Sequence, residues 1–198
     1  MLERRRLFAL LTLAPAVLLA DRALAADAAS FVRQVGDQLV NIINGSGTMV
    51  DKRGQIRAII DRNVDVDGIA RFCLGRFWRV ATPQQQKDYL TLFHQVMVNS
   101  ITGHLGEYKG VKYTLGRVAP HDDTVWVQTT IVRPENPPAD VEWVIGAVDG
   151  QQKIEDLVVE GTSLRLTQRS DYASYLQHNS DNVQSLIDAM RRMLARQN

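Results

Sequence analysis

The sequence predicts an α+β domain in which a long helix lies across the concave side of a curved antiparallel sheet, with further helices flanking it at both ends. Apolar residues recur at the helical period through the first half of the chain and change to the alternation of strands after Gly110. They return to the helical period after Ser163. Helices, then consecutive strands, then helices are typical of α+β domains.

Three helices of ordinary length are predicted first. Each carries apolar residues on one side, and the first ends at a Gly-Ser-Gly sequence that stops a helix well. They cover residues 28–44, 52–63 and 65–74.

The most strongly patterned stretch is residues 82–108, where apolar side chains follow the i, i+3, i+4, i+7 spacing of one helix face. Thr82 suits the N-cap, Pro83 the first helical position, and Gln85 completes a capping box. At about 1.5 Å per residue such a helix spans roughly 40 Å. Its apolar stripe therefore requires a wide partner, which we expect to be the sheet.

Four strands and two further helices follow. The β-branched and aromatic TVWVQTTIV segment is the clearest strand, and Asp149-Gly150 marks a hairpin turn. The predicted strands are residues 112–118, 124–132, 141–148 and 154–160, and the helices run from residue 163 onward and over about 181–195.

Composition limits the classes of function. The 198 residues carry a formal net charge of +1 and are 45% apolar, which fits one domain with a sizeable core. Neither a large basic excess nor a basic cluster beyond the N-terminus points to nucleic acid as a partner. Cys73 is the only cysteine, so an intramolecular disulfide is excluded.

The N-terminus has the pattern of an export signal. Arg4-Arg5-Arg6 precedes an apolar run over residues 7–20 and an Ala23-Leu24-Ala25 cleavage sequence. We expect residues 1–25 to be removed in the periplasm, after Sec export or, given the paired arginines, Tat export. Residues 26–198 would then form a single domain with 19 basic and 20 acidic residues, so a stable membrane anchor is not expected.

No pattern for catalysis or metal binding is present. His94 and His104 are ten residues apart on one predicted helix, about 15 Å along its axis. That separation is too large for a shared zinc ion, and His121 and His178 stand elsewhere. Cys73 lies on an apolar helix face, which favours a core thiol over a nucleophile. We therefore expect no catalytic residue, no metal and no cofactor.

Two segments carry a family resemblance. They are GRFWRVATP at residues 75–83 and VVEGTSL at residues 158–164, the second followed by Arg169 and Tyr172. With the signal peptide they resemble the MlaC/toluene-tolerance family of periplasmic lipid-binding proteins. The resemblance extends from Phe31 to about residue 193.

The resemblance implies an NTF2-like assembly of sheet and helices that holds the acyl chains of a lipid as cargo. Members carry phospholipid between an outer-membrane lipoprotein complex and an inner-membrane ABC transporter complex that contains an MCE subunit. Residues 167–169, Thr-Gln-Arg, are more similar to the HpnM branch associated with hopanoid biosynthesis. The resemblance therefore leaves phospholipid and hopanoid both open as ligands.

The resemblance also implies a cavity lined by the inward faces of the predicted elements; without it, the same side chains would be ordinary closed core. The candidate lipid-binding residues are Leu92, Val96, Ile101, Leu105, Val125, Val127, Ile131, Val141, Trp143, Ile145, Leu157, Val159, Leu164, Tyr172 and Tyr175. Candidates for contact with a headgroup or a partner, or for structural ion pairs, are Arg76, Arg79 and Arg169.

Two other classes of protein remain open at this point. One is an NTF2-like enzyme acting on an apolar small molecule, with His94, Tyr113 and Asp156 as the acid–base groups to inspect. The other is an interaction module whose core is completely filled.

Overall fold

The computed structural model describes residues 15–197, with side chains from residue 24 to residue 196. Over this part of the chain it contains six α-helices and one sheet of five strands. The helices are α1 (Pro15–Asn44), α2 (Met49–Asn63), α3 (Val66–Leu74), α4 (Pro83–Gly103), α5 (Leu164–His178) and α6 (Val183–Gln197). The strands are β1 (Lys112–His121), β2 (Thr124–Val132), β3 (Ala139–Val148), β4 (Gln151–Val159) and β5 (Thr162–Ser163).

The predicted α+β class is confirmed, with helices before and after an antiparallel sheet. Residues 1–14 of the predicted signal peptide lie outside the described residues, and residues 15–25 form the first turns of α1. No described helix combines the length and the apolar content that a bilayer crossing requires.

The sheet is an antiparallel meander in the order β1-β2-β3-β4-β5. One row of cross-strand neighbours runs Val127, Trp143, Leu157 across the three central strands. Val144 pairs with Asp156 whereas Ile145 pairs with Ile154, so one extra residue bulges from β4. A bulge bends its strand and increases the local twist, and this one lies directly beside the buried Asp156.

Helix α1 packs on β1 and β2, while α2, α3 and α5 contact β4. The predicted direct packing of residues 82–108 on the strands was therefore wrong. Ala28, Val32 and Val35 of α1 share a buried cluster with Val127 and Trp143 of the sheet. In contrast, α4 packs on α6, α3 and α2. The apolar period correctly predicts that one face of each helix is buried, but it does not specify the partner of that face.

The long helix is also shorter than predicted. It begins as expected, with a capping box. The Thr82 side chain accepts a hydrogen bond from the Gln85 backbone amide, and the Gln85 side chain accepts one from the Thr82 backbone amide. It ends at Gly103, and residues 105–108 form a short 3₁₀ turn. Two glycines in four residues, Gly103 and Gly106, favour the end of the α-helix there.

Helices α3, α4 and α5 meet in a second core, to which α2 and α6 also contribute. Its centre is an aromatic cluster in which the Tyr89 ring lies 5.8 Å from Phe93 and 6.2 Å from Tyr172. The buried Tyr89 hydroxyl donates to the Ala70 carbonyl at 2.8 Å. This hydrogen bond satisfies the one polar atom of the ring and fixes α4 against α3.

A buried hydrogen-bond chain in the sheet allows a test of the fold. The Trp143 indole N–H donates to Thr129 Oγ1 at 2.9 Å, and that hydroxyl donates to the Val141 carbonyl at 3.2 Å. Thr129→Val should lower the free energy of unfolding by about 1–3 kcal/mol, because it leaves the indole N–H buried and unpaired. Urea denaturation measures the loss. The control is Thr130→Val, which removes only an exposed bond to Asp140; equal stability of the two variants would contradict this account.

Candidate functional site

A cavity of about 920 Å³ lies between the sheet and the helices. Interiors of proteins are otherwise packed with few voids larger than a water molecule. At about 24 cal/mol per Å³, an empty closed void of this size would cost on the order of 20 kcal/mol, more than the net stability of a typical domain. A space of this size therefore requires an occupant, either solvent or a ligand.

The cavity lies between the two cores, beside the residues Leu39 and Val64 that pack against both. Its wall on one side comes from the α1–sheet core, through Val35, Trp143 and Ile154. The opposite wall comes from the helical core, through residues such as Phe93 and Met190. Because α4 faces the strands across this gap, it forms a wall of the cavity and does not pack directly on the sheet.

The cavity opens to solvent. Three of its apolar lining residues are substantially exposed: Ile101 at 45%, Leu164 at 47% and Met193 at 39%. A closed core would bury these apolar side chains, because their exposure to water is unfavourable. They suit a site that an apolar molecule enters and leaves.

The structure brings seven of the fifteen candidate lipid-binding residues to the cavity wall. They are Val96, Ile101, Trp143, Leu157, Leu164, Tyr172 and Tyr175. They come from α4, β3, β4 and α5, so elements far apart in sequence meet at one site.

The other eight candidates lie elsewhere. Those of the sheet pack in the core between α1 and the strands, because α1 occupies that face: Val125, Val127, Ile131, Val141, Ile145 and Val159. Those of residues 82–108 pack in the helical core: Leu92 and Leu105. The misplaced helix explains most of this difference, since it made every inward residue of the sheet a candidate for the cavity.

Sequence reasoning missed the contributions of α2 and α6 to the wall. These include Ile56, Ile59 and Ile60 of α2 and Leu186, Met190 and Met193 of α6. One signal was available: three of the five methionines of the chain, Met97, Met190 and Met193, line the cavity. Methionine is flexible and polarisable, and it adapts to ligands of variable shape.

The three arginines predicted to contact a headgroup or a partner are absent from the cavity wall. Arg76 lies 3.8 Å from Asp181 and stacks on its neighbour Phe77. Arg169 stacks on the Phe72 ring, with its guanidinium carbon 4.8 Å from the centroid. Arg79 is exposed. Arg76 thus has the structural ion pair that was the alternative interpretation.

The one buried carboxylate of the wall, Asp156, is fully engaged. It accepts hydrogen bonds from the Leu157 and Arg165 amides, at 2.8 and 3.0 Å, and from the Ser163 hydroxyl. The Arg165 guanidinium lies 3.5 Å away. Since Ser163 is also the N-cap of α5, these contacts fix the start of that helix on the bulged strand, and the carboxylate serves to hold the wall together.

The other two acid–base candidates of the enzyme hypothesis do not line the cavity. His94 Nε2 bonds the Asp61 carboxylate and joins α4 to α2. The Tyr113 hydroxyl donates to Asp37 at 2.7 Å, and burial together with that carboxylate raises the pKa of Tyr113 to about 12. Among the described residues, no group of three or more His, Cys, Asp or Glu side chains is placed to hold a metal ion.

Fold and cavity together define the class: a small α+β protein whose apolar interior opens to solvent and suits an apolar ligand. A family model described as MlaC protein matches residues 33–192, well over half of the chain. The chain belongs to the MlaC family. The structural comparison found a phospholipid-binding protein from Ralstonia solanacearum, solved in complex with a phospholipid, with a TM-score of 0.73 and 20% sequence identity. The match covers 86% of this chain and 98% of that one, which shows a shared fold.

The thiol of Cys73 gives a test of the wall. Burial raises the pKa of Cys73 to about 12, so at pH 8 only about one molecule in ten thousand carries the reactive thiolate. Iodoacetamide should therefore leave the native protein unmodified over hours and alkylate it fully in guanidinium chloride, as measured by intact mass. Rapid alkylation of the native protein would contradict the placement of this thiol.

Proposed function

We propose that this protein is a periplasmic lipid carrier that holds acyl chains in the cavity and releases them unchanged. The single observation that carries the proposal is the size and apolar lining of the cavity. At roughly 30 Å³ for a methylene, about the share of a water molecule in its liquid, 920 Å³ accommodates on the order of thirty methylenes. That is the content of two long acyl chains.

The energetics suit a carrier. Each methylene removed from water stabilises the complex by about 0.8 kcal/mol, so thirty of them contribute on the order of 20 kcal/mol. The chains of a lipid in a bilayer are already out of water, and transfer from bilayer to cavity exchanges one apolar environment for another. Uptake and release can therefore both proceed without any bond chemistry, and the proposal includes no catalytic residue.

Family membership and the related phospholipid complex support phospholipid as the ligand. The predicted export signal supports a periplasmic location. By the same resemblance, the proposed route runs between an outer-membrane lipoprotein complex and an inner-membrane ABC transporter complex with its MCE subunit.

One observation favours a second ligand class. The Thr-Gln-Arg segment that resembles the hopanoid-associated branch places Gln168 in the cavity wall. A side-chain amide there suits a hydroxylated polycyclic lipid as well as a phospholipid ester. Hopanoid is therefore the alternative cargo for the same carrier function.

Native mass spectrometry of gently purified protein tests the proposal. The wild type should carry a lipid whose mass separates phospholipid from hopanoid, and protein stripped of lipid should reload from vesicles. Val96→Arg should reduce reloading at least tenfold, because it introduces a charge into the apolar space. Gln95→Arg places the same charge on the exposed side of α4 and should reload normally. Wild-type protein that stays empty, or equal reloading of the two variants, would contradict the proposal.

A further inference from the structure

A groove along α6 continues the cavity to the surface. It has a volume of about 490 Å³ and shares Tyr175, Ala189 and Met193 with the main cavity. Its two remaining lining residues are Arg192 and Arg196. The apolar space therefore leads past a tyrosine and a methionine to two guanidinium groups.

The geometry of α6 places these two arginines on one face. Residues four apart on a helix are neighbours, with Cβ atoms about 5–6 Å apart. Both are exposed, and neither has an ion-pair partner among residues 24–196. Arg191 beside them differs, since its guanidinium binds Asp88 at 2.8 Å and Asp188 at 3.1 Å. Arg191 thus fixes α6 to α4, while Arg192 and Arg196 keep their donors available.

The other cations of the cavity wall are less suitable for a ligand. Arg165 is engaged by Asp156 and stacks on Phe72. Arg53 is the one arginine that α2 contributes to the cavity wall. In the part of the chain that the structure describes, only the α6 groove joins the cavity to a pair of available guanidinium groups.

We propose that Arg192 and Arg196 form the headgroup subsite of this protein and bind the phosphate group of a phospholipid whose chains lie in the cavity. This inference rests on the proposed carrier function. Guanidinium groups bind phosphate oxygens with paired, charge-assisted hydrogen bonds, and two of them match a group with several acceptor oxygens. The subsite selects phosphate-bearing lipids over neutral lipids with the same chains.

The test compares two lipids that differ only in the phosphate headgroup. Lipid-free protein is incubated with phosphatidylcholine vesicles that contain diacylglycerol of the same acyl chains, and the bound lipids are counted by mass spectrometry. These vesicles carry no net charge, so general attraction to an anionic surface does not contribute. Wild-type protein should favour the phospholipid on the order of tenfold over its share in the vesicle, as charge-assisted hydrogen bonds at a partly exposed site allow.

Arg192→Gln/Arg196→Gln should remove this preference and leave diacylglycerol uptake unchanged. The control is Arg57→Gln/Arg62→Gln, which removes two exposed arginines of α2 that line neither the cavity nor the groove. It should keep the preference. Loss of the preference in the control, or its persistence in the α6 variant, would overturn the inference.

Two further outcomes separate the claims. If the wild type takes up both lipids in the vesicle ratio, the headgroup subsite is wrong while the carrier function stands; if it takes up neither, the carrier function fails as well.

Inorganic phosphate added at constant ionic strength should leave phospholipid binding unchanged, because a headgroup held by its own chains has a far higher effective concentration. Displacement of the lipid by phosphate would show a site for free phosphate and overturn the inference.

Discussion

The packing of α1 on the sheet is the constraint on which the rest of this structure depends. Ala28, Val32 and Val35 cover one part of the strands and complete a core there. The remaining helices form their own core around Tyr89 and Tyr172. The two cores are joined through Leu39, Ile42 and Val64, which pack against both. The cavity is the space between them.

Polar contacts hold the walls of this space in place. The buried Asp156 carboxylate fixes the beginning of α5 to β4 through the Ser163 hydroxyl and the Arg165 amide. The Arg191–Asp88 ion pair joins α6 to α4. The first contact lies in the cavity wall itself, where the polar groups bind one another, and the second lies on the surface between two helices. The buried polar groups of the wall therefore have hydrogen-bond partners within the protein and do not depend on a bound ligand for them.

Much of the fold follows from local patterns in the sequence, whereas the helix on the sheet and half of the site do not. The Thr82 capping box and the β-branched β2 are encoded by neighbours in the chain, and both were predicted correctly. Which helix covers the sheet is a tertiary choice, since the stripes of α1 and α4 have the same period. Val127 and Ile145 are as apolar as Trp143 and Leu157, and all four belong to the core between α1 and the sheet, but only Trp143 and Leu157 also line the cavity. Arg192 and Arg196 carry no motif, and only their position beside the cavity distinguishes them.

The most direct test of the central claim is whether acyl chains reach the wall of the cavity. Trp143 lines it, whereas Trp78 and Trp126 do not. A variant with Trp78→Phe and Trp126→Phe keeps only this indole, and it can be loaded with a phospholipid brominated along its acyl chains, since bromine quenches tryptophan fluorescence on contact. Acyl chains in contact with Trp143 should cause strong quenching relative to the same lipid without bromine, and no quenching is expected in a variant that keeps only Trp126. Equal fluorescence with both lipids in loaded Trp143 protein would contradict the claim.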